Sequence, residues 1–211
     1  MIKTWIADVR PLLEKGRYNQ YYSTLPSWRK EKADKIRDPL IRAQSVGVWE
    51  LWSQMKNHFN LEDLDTHNFS HSGNYVLCAA EITRISHVKL GCDIEKMKDI
   101  DDNLDRLAKR FFSYSEYQAV FNCETQRGKR ETFFRLWALK ESYLKATGAG
   151  MTIDTRSVEV KLGEKITLLK QPVKYGDSYS LWELNAFDLP YKVAVCTTDV
   201  EVDRVLKLQV L

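Results

Sequence analysis

The 211-residue chain predicts an α+β fold in two similar lobes with a site between them. Three observations carry that expectation. Short apolar runs at residues 2–8, 75–80, 87–95 and 178–184 read as strands, whereas residues 39–55 and 129–147 repeat their apolar positions at helical spacing. A strand, a helix and further strands occur before residue 90 and again, more elaborately, after it, the element order of an α+β arrangement. No flexible linker divides the two runs, so lobes over residues 1–88 and 89–211 are expected to pack together around a shared cleft.

Residues 2–8 open the first sheet, and Arg10-Pro11 ends the run. A helical section follows, then a basic, interrupted stretch from Ser27 that breaks at Asp38-Pro39, because the residue before proline avoids helical dihedrals. Pro39 sits at a permitted first-turn position, and Leu40, Ile41, Val46, Val48, Leu51, Trp52 and Met55 make the next segment an amphipathic helix packed on that sheet. Residues 57–68 are polar without period. Asn68-Phe69-Ser70-His71-Ser72-Gly73 reads as a turn leading into a strand over 75–80, and residues 87–95 form the next strand. An acidic connector at 99–103 precedes helices at 103–111, 114–122 and 129–147, the last closed by Gly148 and Gly150. Strands at 157–162, 166–169, 178–184, 192–197 and 205–208 complete the chain.

Composition places the chain among ordinary globular proteins: 44% is hydrophobic and 29% charged, and nine glycines and five prolines exclude collagen-like and low-complexity classes. A net charge of +3 with interspersed acids gives no extended nucleic-acid surface, though a mildly basic face suits an acidic partner or phosphorylated ligand. The four cysteines, Cys78, Cys92, Cys123 and Cys196, form no Cys-x-x-Cys pair and read as reduced, mostly buried thiols. The first residues are charged too early for a secretory segment, and no run approaches the roughly 20 apolar residues of a membrane span, so the expected location is cytoplasmic.

Two blocks carry the chemistry. In Gly91-Cys92-Asp93-Ile94-Glu95-Lys96 the carboxylates stand at i and i+2 on a strand, so both point to one face while Ile94 turns to the core. Mg²⁺ uses such a sparse carboxylate set together with phosphate oxygens and water, whereas the pair taken alone reads as a solvated strand end. Gly91 lets a ligand or another backbone approach closely. In Trp137-Ala138-Leu139-Lys140-Glu141-Ser142-Tyr143-Leu144-Lys145, Glu141 and Lys145 share a helix face. Such pairs are usually surface salt bridges, but the apolar residues around this helix put them at a cleft edge, where Glu141 can join a metal shell and Lys145 can neutralise a phosphate. The Ser70-His71-Ser72-Gly73 stretch offers hydroxyls, an imidazole and backbone N–H groups to a phosphate, or is simply a turn whose serines cap backbone groups. No Gly-x-Ser-x-Gly elbow supports a serine hydrolase, and His67 and His71 lack a third ligand for zinc. Arg29 and Lys32, three residues apart, either lie on a solvated helix face or hold a peripheral phosphate.

These blocks, in this order, resemble the 4′-phosphopantetheinyl transferases, specifically the longer, pseudodimeric type that activates peptide and polyketide synthases. The matching pieces are Asn68 to Gly73, Gly91 to Lys96, Arg110-Phe111-Phe112-Ser113 with Glu116, and Trp137, Lys140, Glu141, Ser142, Lys145 and Gly148. The resemblance implies an intramolecular pseudodimer and a monomer, in which one chain holds a whole site. It also implies Mg²⁺ on Asp93, Glu95 and Glu141, with Lys145 on the diphosphate of coenzyme A. Ser70 and His71 would hold the phosphates of the nucleotide half, with Arg29, Lys32 and Ser45 near its 3′-phosphate. The implied reaction moves phosphopantetheine to a serine of an acyl, peptidyl or polyketide carrier protein and releases adenosine 3′,5′-bisphosphate; Glu141 or a water on the metal would accept the serine proton, and the resemblance favours Glu141. Members of the longer type usually carry a Gly-Lys-Pro segment before the Ser-His-Ser stretch; residues 57–67 contain no glycine, lysine or proline. Cys92 and Ser142 replace commoner valine or isoleucine and alanine. Two other functions use similar residues: a Mg²⁺-dependent nuclease, and a coenzyme A-binding paralogue without catalysis.

Overall fold

A computed structural model describes residues 1–211, apart from the side chain of Met151. Strand β1 (Ile2–Asp8) pairs antiparallel with β3 (Tyr75–Glu81), and β3 pairs antiparallel with β2 (His67–Ser72). Helices α1 (Lys15–Thr24), α2 (Ser27–Asp34) and α3 (Pro39–Phe59) intervene between β1 and β2. Asp38 accepts a hydrogen bond from the Ile41 N–H, and Pro39 occupies the first turn, so the expected break starts α3. The inward face of α3, with Val46, Leu51, Trp52 and Met55, covers Trp5, Ala7, Val76 and Cys78 of the sheet.

The second unit repeats this plan. Strand β4 (Leu90–Lys96) is followed by α4 (Leu104–Phe111), α5 (Tyr114–Phe121) and α6 (Gln126–Thr147), and then by a hairpin of β5 (Glu159–Lys161) and β6 (Thr167–Lys170). Strands β7 (Tyr179–Leu184) and β8 (Tyr191–Thr198) then join β4 in the order β4-β8-β7, all antiparallel. In the first sheet β1, β3 and β2 stand in the same order and sense. Apolar side chains of both sheets, among them Ile6, Leu77, Ile94 and Val195, form a core cluster between them, and α6 covers the far side of the second sheet.

Strand β9 (Val202–Gln209) differs from expectation in place as well as length. It returns to the first sheet and pairs parallel with β1, burying Val202 and Leu206 against Ile2 and Ile6, so the last strand crosses the division expected at residues 88 and 89. The Asn68–Gly73 stretch is also corrected: it is strand β2 as far as Ser72, and the turn lies after it, at Gly73 with φ +53°. Residues 27–34, read as an interrupted basic stretch, form α2 with Arg29 buried in its inner face. Cys78, Cys92 and Cys196 are buried free thiols and Cys123 is half-buried. Among the described residues, no helix is long and apolar enough to cross a membrane.

Candidate functional site

The two sheets meet where β2 lies beside β4, and no backbone ladder joins these strands. Side chains take the ladder's place. Every second residue of β2 reaches the next strand: Asn68 Oδ1 accepts the Cys92 N–H at 3.0 Å, Ser70 Oγ the Ile94 N–H at 3.3 Å, and Ser72 Oγ the Lys96 N–H at 3.0 Å. Three otherwise orphaned backbone donors are thus satisfied by a seam of short polar side chains. The same hydroxyls donate to the acids of β4, Ser70 to Asp93 Oδ1 at 2.8 Å and Ser72 to Glu95 Oε2 at 3.0 Å.

Helix α6 lies directly on β4. A Cβ on Gly91 would stand 2.0 Å from the Ser142 carbonyl oxygen and 2.4 Å from the Ala146 nitrogen, so it is a helix backbone, rather than a ligand, that requires this glycine. The close approach brings Lys145 over the strand. Its Nζ donates to Asp93 Oδ1 at 2.8 Å, Ser70 Oγ at 2.9 Å and the Cys92 carbonyl at 3.0 Å, and lies 3.5 Å from the Phe69 carbonyl. Three ammonium protons make the first three contacts the principal ones. Trp137, two turns earlier, donates its indole N–H to Glu95 Oε1 at 3.1 Å and packs on Phe111. Glu141 stands between these anchors and takes no hydrogen bond among the described residues.

Electrostatics set the three acids against one another. Burial raises the Asp93 pKa, opposed by Lys145 and Ser70, and burial with the Asp93 charge raises that of Glu95. The Glu141 carboxyl is pushed up to about 7 by burial and by Asp93 and Glu95, against the pull of Lys145. Burial disfavours the Lys145 ammonium, yet Asp93 and its other neighbours hold its pKa above the ordinary value. Asp93 Oδ2 is buried with no partner at all. An orphaned carboxylate oxygen beside two crowded acids is the donor set a hard divalent cation fits. As they stand, no group of three or more His, Cys, Asp or Glu among the described residues is already arranged around a metal position.

The expected nucleotide-side residues are distributed around this centre. His71 is exposed, and its pKa is lowered by partial desolvation and by Lys145 and Lys32. Lys32 is exposed on α2. Arg29 is buried: its guanidinium lies 5.5 Å from the Trp28 ring and 5.1 Å from Trp49, and Nη2 donates to the Ser45 carbonyl, tying α2 to α3. Arg29 Nε and Ser45 Oγ have no partner, so polar atoms remain there for an anion.

Sequence reasoning missed the roles of Asn68, Ser72 and Trp137. The alternation Asn68, Ser70, Ser72 was their signal, since residues two apart share a strand face. It also missed a buried pair, Lys140 with Glu116, whose signal was the Ser-x-x-Glu pattern of a capping box at Ser113.

The family model of the 4′-phosphopantetheinyl transferase superfamily matches residues 89–196. The 4′-phosphopantetheinyl transferase gsp of Aneurinibacillus migulanus is 34% identical over 151 residues, covering 70% of this chain and 59% of the relative. The transferase Sfp of Bacillus subtilis is 34% identical over 135 residues, 63% of this chain and 55% of the relative. HetI of Nostoc sp. is 44% identical over 84 residues, 40% and 33% of the two chains. The chain thus spans between half and two thirds of the length of the first two relatives. A holo-(acyl-carrier-protein) synthase structure from Bacillus anthracis, in complex with CoA (3′,5′-ADP), aligns with TM-score 0.44 at 22% identity over 52% of this chain and 94% of that one.

Proposed function

The chain belongs to the 4′-phosphopantetheinyl transferase superfamily, and from that premise we propose that it moves 4′-phosphopantetheine from coenzyme A to a serine of an acyl, peptidyl or polyketide carrier protein. The observation that carries this reading is the cluster of Asp93, Glu141 and Lys145, in which a buried carboxylate oxygen lacks a partner beside a carboxyl poised near neutrality.

Asp93, Glu95 and Glu141 would hold Mg²⁺, which supplies positive charge to the diphosphate when bound. Ser70 and Ser72 orient the two strand acids, and Trp137 fixes Glu95. Lys145 presents its ammonium to the diphosphate, where charge builds as the bridging P–O bond breaks. His71 and Lys32 flank the nucleotide half, with the free Arg29 Nε and Ser45 Oγ behind them. The carrier serine oxygen forms a bond to the β-phosphorus, the bond from that phosphorus to the bridging oxygen breaks, and adenosine 3′,5′-bisphosphate departs with the electron pair. The serine proton passes to the Glu141 carboxylate, which stands beside the strand acids and makes no hydrogen bond among the described residues that would hold it away.

The matching strand orders of the two sheets support a further part of the proposal. The lobes form an intramolecular pseudodimer, divided near residue 88 with β9 exchanged, so a monomer in the cytoplasm holds a whole site. The deciding experiment incubates the protein with coenzyme A, Mg²⁺ and a panel of apo carriers and weighs the carriers. One phosphopantetheine is expected on a carrier's serine. Unchanged masses across the panel overturn the reading; Mg²⁺-dependent coenzyme A binding without transfer would then mark a silent paralogue, and cleavage of DNA or RNA a nuclease.

A further inference from the structure

The transfer reaction makes no use of an ion pair whose two members are both almost wholly buried. Lys140 and Glu116 are each 1% exposed. Lys140 Nζ lies 2.6 Å from Glu116 Oε2 and donates to the carbonyls of Val158 at 2.6 Å, Thr155 at 2.8 Å and Phe111 at 3.3 Å. Glu116 Oε2 also accepts the Ser113 N–H at 2.7 Å, and Oε1 accepts the Val160 N–H at 2.9 Å. One ion pair therefore gathers the end of α4, the capping box of α5 and the segment 155–160 onto α6. Apolar side chains of similar volume could replace the ion pair itself, but not the hydrogen bonds it makes to the Ser113 and Val160 N–H groups and to three carbonyls.

Its geometry offers a different use. Successive helix residues are about 100° apart, so fixing Lys140 toward α4 and α5 turns Glu141 toward β4. Glu141 has no hydrogen bond of its own to aim it; its direction is inherited from the rotation of α6. Gly91 sets how near the helix lies, Lys145 and Trp137 tie its inner face to the site, and Lys140 anchors the side turned toward α4 and α5. We propose that the Lys140–Glu116 pair is a positioning device that fixes the rotation of α6 and thereby directs the Glu141 carboxylate at Asp93 and Glu95. Neither residue touches substrate. The inference rests on Glu141 being the site carboxylate of the transfer reaction proposed above.

The test is the double variant Lys140→Met/Glu116→Leu of the full chain, which fills the volume without charge. Its unfolding temperature is expected to fall, because the Ser113 and Val160 N–H groups lose their acceptor, and the comparison is made below that temperature, on the folded variant. Transfer should lose about tenfold or more in kcat with KM for coenzyme A within about twofold, as misdirection of one group predicts. Binding of Mn²⁺, measured by calorimetry without coenzyme A, should weaken about fivefold or more. Lys140→Arg, which keeps charge and donors, should recover most of the kcat. A folded double variant with native kcat and native Mn²⁺ affinity overturns the proposal. Should the double variant not fold, Glu116→Gln serves instead: a lower kcat at unchanged KM supports the device, and an unchanged kcat refutes it. A native chain that transfers nothing would sink the reading of function, while the Mn²⁺ comparison would still decide whether the pair directs Glu141.

Discussion

Glu141 combines two demands that oppose each other at the scale of a single residue. Its carboxyl has a pKa of about 7 in the folded chain, against an ordinary 4.5, because burial and two neighbouring acids disfavour its charge. The folded state thus binds this proton more tightly than the unfolded state, so the associated stability is present at low pH and is lost as pH rises from about 4.5 to about 7. Glu141→Gln removes the charge and keeps the shape. In chelator at pH 8 the variant should unfold several degrees above the native protein, and near pH 4.5 the two curves should converge, as thermal denaturation followed by circular dichroism would show. The same variant should transfer phosphopantetheine at less than about 1% of the native rate, a trade of stability for activity. Equal unfolding temperatures at pH 8 would mean the carboxyl is not crowded.

Among the elements, the contact of β4 with α6 bears the most. Gly91→Ala puts a methyl group against helix backbone, which cannot move aside as a side chain can, so a loss of about 3 kcal/mol or more is expected in urea denaturation. A native midpoint would show that the helix stands farther off. The two elements of this contact were legible in the sequence because their signals are local: Asp93 and Glu95 follow the strand period, and Glu141 and Lys145 the helical one. The Ser-His-Ser strand was not legible as a strand. It is held by an antiparallel ladder with β3 and by polar contacts of Asn68, Ser70 and Ser72 to β4, and its alternation is of polar residues rather than the apolar ones by which strands are read. The burial of Arg29 and Lys140 was not legible for a related reason: a charged side chain is ordinarily solvated, and only the packed aromatic rings around Arg29 and the converging carbonyls around Lys140 reverse that.

For the molecule as a whole, the doubled layout was visible in the order of strands and helices, but the return of β9 to the first sheet was not. Parallel pairing of a terminal strand with β1 depends on nearly 200 residues of intervening chain, beyond the reach of any window of periodicity. That return makes the halves interdependent. Residues 83–87, between β3 and β4, are exposed, so a cut there severs the chain without disturbing packed side chains. Fragments 1–86 and 87–211, coexpressed, should copurify, and removing residues 202–211 from the second should abolish copurification. Separate elution of the uncut pair would show that β9 does not bind the halves together. A chain cut in this way has the makings of a complementation device: given the transfer proposed above, and with the β9 pairing weakened so that the pieces no longer meet unaided, two proteins fused to them would leave each encounter written as added mass on a carrier, a record that outlasts the meeting.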